Sequence, residues 1–165
     1  MRFPIIYGKN LSGKQFYLPD DFAGTINMVF VAFLQWQQQQ VNTWIPLADE
    51  LTTMYPELRD YELPVVRKMP LFRQKMLENG MRGGIPDVAT RDKTITIHTD
   101  VSAFVHALNL PGTDTIYTLL LDAGGHIIFN TAGAYTPEKG LALQSVLADL
   151  HGNAANENNG VIHTS

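Results

Sequence analysis

Cysteine is absent from these 165 residues. Its absence excludes disulfides, thiolate metal sites and cysteine nucleophiles together, and leaves the chain indifferent to redox poise. Long apolar runs are missing too. None approaches the ~20 residues a bilayer-spanning helix needs, so the chain is not expected to span a membrane. The opening MRFPIIYGKNLSGK has neither the apolar stretch of a secretory signal nor the Arg-rich amphipathic pattern of a transit peptide. With Met1 as the native start, the expected compartment is the cytoplasm. The five histidines (His98, His106, His126, His151, His163) show no metal spacing. There is no Gly-x-Ser-x-Gly elbow, and Gly80 to Gly84 do not follow a strand, as a phosphate loop requires. No metal or cofactor is expected.

What remains is an ordinary globular composition, 45% hydrophobic with a net charge of −4, enough to bury a core. The charge is unevenly spread. Seven of the twelve basic residues (Arg67, Lys68, Arg73, Lys75, Arg82, Arg91, Lys93) lie between positions 67 and 93, opposed only by Glu78, Asp87 and Asp92. That window carries +4 and the rest −8, which marks either a solvated helix or a face for an anionic partner. A pI near 5.6 argues against nucleic acid as that partner.

Two short strands flank a polar Gly8–Lys14 turn. Asn27–Phe33 is apolar after its first residue, as a strand covered on both faces requires. Val41, Trp44, Ala48, Leu51 and Tyr55 then recur at helical spacing, with Pro46 expected to kink the helix or sit near its first turn. Tyr61–Val66 reads as a strand that Pro64 demotes to an edge or a break. A helix over Leu71–Asn79 and a loop at Gly83–Asp87 follow, then a β-branched strand at Thr94–Thr99 and a short helix capped by Asp100. Thr115–Leu121, the Asp122–Gly125 turn and His126–Asn130 form a hairpin. Thr136-Pro137-Glu138 starts a last helix with a stripe of Leu143, Val146, Leu147 and Leu150, ended by Gly152. Residues 1–152 are thus expected to form one α/β domain, a mainly parallel sheet with an antiparallel edge, and 153–165 a disordered tail.

Phe30-Val31-Ala32-Phe33-Leu34-Gln35-Trp36-Gln37 resembles the strand and Trp-Cys turn of thioredoxin-like reductases. Aligning on Trp36 puts Gln37 and Gln40 at the two sulfur positions; aligning on the helix proline, Pro46, shifts both by one. Tyr117–Leu121 with Asp122-Ala123-Gly124-Gly125 is similar to that superfamily's strand and Asp-x-x-Gly turn. Its usual preceding cis-proline would fall near Thr115 or Ile116 and is lost. The resemblance implies a thioredoxin-like fold: a central mixed sheet flanked by helices, here with an N-terminal hairpin extension. A narrower resemblance rests on Gln35-Trp36-Gln37-Gln38, Gly80-Met81-Arg82-x-Gly84-Ile85-Pro86-Asp87, Arg91-x-Lys93-Thr94-Ile95-Thr96-Ile97 and Thr99-Asp100. These look like the thioredoxin-like family containing the mitochondrial ATP synthase assembly factor, over about residues 26–150. That family lacks the redox pair and assists assembly of the membrane-sector subunit. The chain departs from it in having no evident transit peptide. If one has been removed, the mitochondrion is the expected compartment.

Glutamine neither titrates nor attacks, so Gln35, Gln37, Gln38 and Gln40 perform no acid–base or nucleophilic chemistry. They either contact a partner chain or satisfy the free amides of a helix's first turn. Trp36 is either an exposed recognition aromatic or a core plug. Arg82, Asp87, Arg91 and Asp92 form a docking loop or pair locally. The expected function is that of a non-catalytic assembly or interaction factor that holds a partner polypeptide. Gln35, Trp36, Gln37, Gln38, Gln40, Arg67, Arg73, Arg82, Asp87 and Arg91 are its candidate contacts. The alternative is a cysteine-free enzyme or binding protein for glutathione or another small anion. The oligomeric state is left open, and a peroxidase or disulfide exchanger is excluded for want of a thiol.

Overall fold

The computed structural model describes residues 1–67 and 88–163. The chain divides into a compact unit over Met1–Ala134 and a second from Tyr135 onward. The first holds seven strands: β1 (Ile6–Asn10), β2 (Gln15–Leu18), β3 (Ile26–Ala32), β4 (Leu58–Arg67), β5 (Ile95–Thr99), β6 (Tyr117–Leu121) and β7 (Ile127–Ala132). They form one mixed sheet in the order β2-β1-β5-β4-β3-β6-β7. The central β3, β4 and β5 run parallel, and the N-terminal hairpin extends the sheet antiparallel to β5. A 3-10 turn at Gln35–Gln37 leads into α1 (Gln38–Met54); α2 (Val88–Lys93) and α3 (Val101–Ala107) precede and follow β5.

Strand alternation sorts the core into two faces. Val29, Val31, Tyr61, Leu63, Val65, Ile95, Ile97, Leu119 and Leu121 join Phe104 of α3 in one apolar cluster. The opposite face of β3 presents Phe30 to Trp44 of α1, ring centroids 6.2 Å apart. Trp44, Leu47, Ala48 and Leu51 are buried, and the half-buried Tyr55 caps the helix. Pro46 sits inside α1 on its exposed side, where water can serve the carbonyl left without an amide partner. Asp100 caps α3 by accepting the Ala103 amide at 3.1 Å, as its sequence position predicts.

Three expectations need correction. First, Pro64 does not push its strand to an edge: β4 is ten residues long and lies between β3 and β5. The physical reason is register. Pro64 stands opposite Ala32, the last residue of β3, and the ladder to β5 runs from Val65, so its missing donor falls where one ladder runs out. Second, Arg91 and Asp92 lie in α2 rather than in a loop. Third, Gly152 does not end the last helix, α4, which runs Pro137–His163; glycine's cost in a helix, about 1 kcal/mol, weakens a helix without terminating it. Within this second unit Thr136 caps α4 by accepting the Lys139 amide at 3.2 Å, and Leu143 and Leu147 of the stripe are buried. The expected Leu71–Asn79 helix and Gly83–Asp87 loop lie outside the described residues.

Gly8 shows how closely the hairpin packs. A Cβ there would stand 2.6 Å from both Ile95 Cγ2 and Ile97 Cδ1. Gly8→Ala is therefore expected to lower stability by about 1–3 kcal/mol through overpacking, measured as a reduced denaturant midpoint.

Candidate functional site

The parallel strands fix where a site can form. β3 ends at Ala32 opposite Pro64, β4 runs on to Arg67, and the turn into α1 sits at that end of the sheet, beside the segment that enters β6. Five residues decide what the turn presents. Leu34, Gln35 and Trp36 face outward, with Leu34 46% and Trp36 52% exposed. Gln37 is fully buried. Its Oε1 accepts the amides of Phe33 at 2.8 Å and Leu34 at 3.2 Å, and its Nε2 donates to the Thr113 carbonyl at 2.7 Å. Three residues on, the half-buried Gln40 accepts from Thr115 Oγ1 at 3.3 Å and from the Ile116 amide at 3.2 Å.

The two glutamines at the Trp36-aligned sulfur positions are thus internal staples. They bind the turn to residues 113–116: Gln37 spends both ends of its amide within the chain, and Gln40 its carbonyl oxygen. The network closes on itself. Ile116 accepts the Gly133 amide at 2.9 Å, and Gly133 in turn accepts from Trp44 Nε1 at 3.0 Å. Gly133 takes a φ of +87°, a region glycine enters without the Cβ clash other residues meet.

Of the remaining candidates, Gln35 and Gln38 are exposed beside Trp36. Arg67 is exposed at the end of β4, at the same end of the sheet. Arg91 lies at the other end, before β5, where its carbonyl accepts the Leu11 amide at 3.2 Å; the fold does not bring it to Trp36. Arg73, Arg82 and Asp87 lie outside the described residues. A cleft of about 430 Å³ opens at Arg91's end of the sheet, lined among others by Asn10, Lys14, Phe16, Arg59 and the Lys93–Asp60 ion pair.

Sequence reasoning missed Glu62. It is 6% exposed on β4, on the α1 face of the sheet. Gln38 Nε2 lies 3.4 Å from its Oε1 and Thr94 Oγ1 lies 3.3 Å from its Oε2. Burial pushes its carboxyl above the usual glutamate range, against smaller pulls from Gln38 and Lys93. The available signal was an acid set between Tyr61 and Leu63 in a strand, where alternation brings every second residue under a helix.

Several solved structures share this architecture. BsSco, a member of the Sco family of cytochrome c oxidase assembly proteins, matches with a TM-score of 0.61 at 10% identity, over 89% of this chain and 92% of its own. The exposed lipoprotein thioredoxin of Streptococcus pneumoniae gives 0.55 at 15% identity, over 88% and 99%. The fold is thioredoxin-like. StoA from Bacillus subtilis gives 0.53 at 11%, over 88% and 97%. At such identities the likeness is one of fold, and fold does not carry activity. No family model matches the chain, and no curated protein matches it in sequence. This thioredoxin-like chain has no thiol with which to exchange disulfides. Among the described residues no helix is long and apolar enough to cross a membrane, and no cluster of three or more His, Asp or Glu is placed to hold a metal.

Proposed function

We propose that this protein is a non-catalytic thioredoxin-fold interaction factor that holds a partner polypeptide at the Leu34–Trp36 turn, in the manner of an assembly factor. The observation that carries this reading is Trp36, about half exposed on a turn that Gln37 fixes from beneath. Tryptophan supplies much contact area at little entropic cost and is enriched among the residues that dominate binding energy. A surface aromatic on a preorganised turn loses less freedom on binding than one on a mobile loop. The turn itself suits an uncharged polypeptide: residues 22–48 contain no Asp, Glu, Lys, Arg or His, so contact with Leu34–Trp36 need bury no charge of the turn's own. Gln35 and Gln38 offer donors and acceptors for a partner's backbone. The similarity to the ATP synthase assembly-factor family supports the same reading. It is also a role that needs no sulfur.

The test is selection of a displayed random-peptide library on the immobilised protein, with Trp36→Ala alongside. Wild-type protein is expected to enrich peptides poor in charged residues, and Trp36→Ala to weaken their binding about 30-fold, the loss of a ~2 kcal/mol contact. The variant should fold normally because the side chain is half exposed. Enrichment that survives Trp36→Ala unchanged would refute the assignment.

A further inference from the structure

Glu62 carries more than a buried charge needs to. Thr94 Oγ1 has a single proton and lies 2.7 Å from the Thr90 carbonyl, which can only accept. That proton is therefore committed, and towards Glu62 Oε2, 3.3 Å away, Thr94 can act only as acceptor. An acceptor facing a carboxyl oxygen is satisfied when the carboxyl holds its own proton. On the other oxygen, Gln38 uses one Nε2 hydrogen on Asn42 Oδ1 at 3.0 Å and has the second for Glu62 Oε1. The Lys93 ammonium is engaged with Asp60 at 2.9 Å. An ionised Glu62 would hold a buried negative charge on one long amide contact.

We propose that Glu62 is a proton-binding site: as the neutral acid it donates to Thr94 and accepts from Gln38, latching the first turn of α1 to β4 and α2, and loss of the proton opens the latch. The proton is its ligand, and the inference is independent of what Trp36 binds. The charged groups around it are few. β4 contributes Asp60, α2 contributes Lys93, Thr94 stands between α2 and β5, and β5 presents Thr96 and, further along, His98 on that face. α1 contributes none, its first charged residue being Asp49, and β3 carries none. Gln38 is next to the Gln37 staple and two residues from Trp36, so the latch acts on the turn that presents the tryptophan.

The experiment is a carboxyl-carbon NMR titration of wild type and Thr94→Val, with quenching of Trp36 fluorescence followed across the same pH range in wild type and Glu62→Gln. In wild type the Glu62 midpoint is expected above the ordinary glutamate value. Thr94→Val keeps the branched shape but removes the acceptor, so the midpoint is expected to fall. A midpoint that rises in Thr94→Val would mean that Thr94 donates to a carboxylate, and would overturn the proposal, as would an ordinary midpoint in wild type. Trp36 accessibility is expected to change through the wild-type midpoint and stay flat in Glu62→Gln, whose amide mimics the neutral acid at every pH. Trp44 is buried and contributes little to quenching. Flat quenching in wild type would overturn the latch even if the midpoint is raised.

Discussion

Trp44→Ala is expected to destabilise the protein by about 3–5 kcal/mol, the range for deleting a fully buried aromatic, measured as a fall in denaturant midpoint at unchanged slope. Trp44 is 0% exposed and packs on Phe30 across the α1 face of β3. Its removal loses both area and a cavity's worth of contacts, and it also strands the Gly133 carbonyl that Trp44 Nε1 serves. Trp44→Phe separates the two contributions. It keeps most of the ring and leaves the carbonyl unpaired, so a smaller loss of about 1–3 kcal/mol is expected, with the orphaned acceptor a large part of it. The contrast with Trp36 is sharp. Trp36→Ala should change stability by less than about 1 kcal/mol, because a half-exposed side chain surrenders little buried area. Two tryptophans eight residues apart thus divide the labour: one fixes the helix and the other faces solvent. An equal loss at both positions would mean that Trp36 is part of the core.

Much of the scaffold was legible because its signals are local. The apolar run of β3 announced a strand covered on both faces, Asp100 announced its cap, and Thr136-Pro137 announced the start of α4. The errors arose where a local rule met a tertiary fact. Pro64 reads as an edge residue until the register shows that β3 ends opposite it. Gly152 reads as a stop until α4 is seen to continue. The site was half legible. Gln35, Gln37, Gln38 and Gln40 are chemically identical, and nothing in their order says which face inward. The 3-10 turn decides it. It turns Gln37 inward at its last residue, and Gln40, three residues on in the first turn of α1, falls on the same face, leaving Gln35 and Gln38 outside. Glu62 was hidden for a related reason: a strand's alternation does not say which face a helix will cover.

Gln37→Leu is expected to cost about 2–4 kcal/mol. Leucine fills nearly the same volume, so little of the loss comes from packing. It comes from the polar groups that glutamine satisfied, the Phe33 and Leu34 amides and the Thr113 carbonyl, at about 1–3 kcal/mol for each one left buried without a partner. Some of the three will find water, which holds the total below their sum. Gln40→Leu should cost less, about 1 kcal/mol, because Gln40 is half-buried and solvent can reach the Ile116 amide. Hydrogen exchange distinguishes the two variants: the Phe33 and Leu34 amides should exchange faster in Gln37→Leu, and the Ile116 amide in Gln40→Leu. Both side chains tie the same turn to residues 113–116, so the double variant should lose an amount that differs from the sum by 0.5 kcal/mol or more, roughly the coupling found for residues sharing a network. The sign of the Gln37 result also bears on function. A buried amide kept for a ligand would be under-satisfied in the free protein, and an apolar isostere would then be neutral or stabilising. A large loss instead makes Gln37 the support that holds Trp36 outward, and puts the binding surface in the residues beside it.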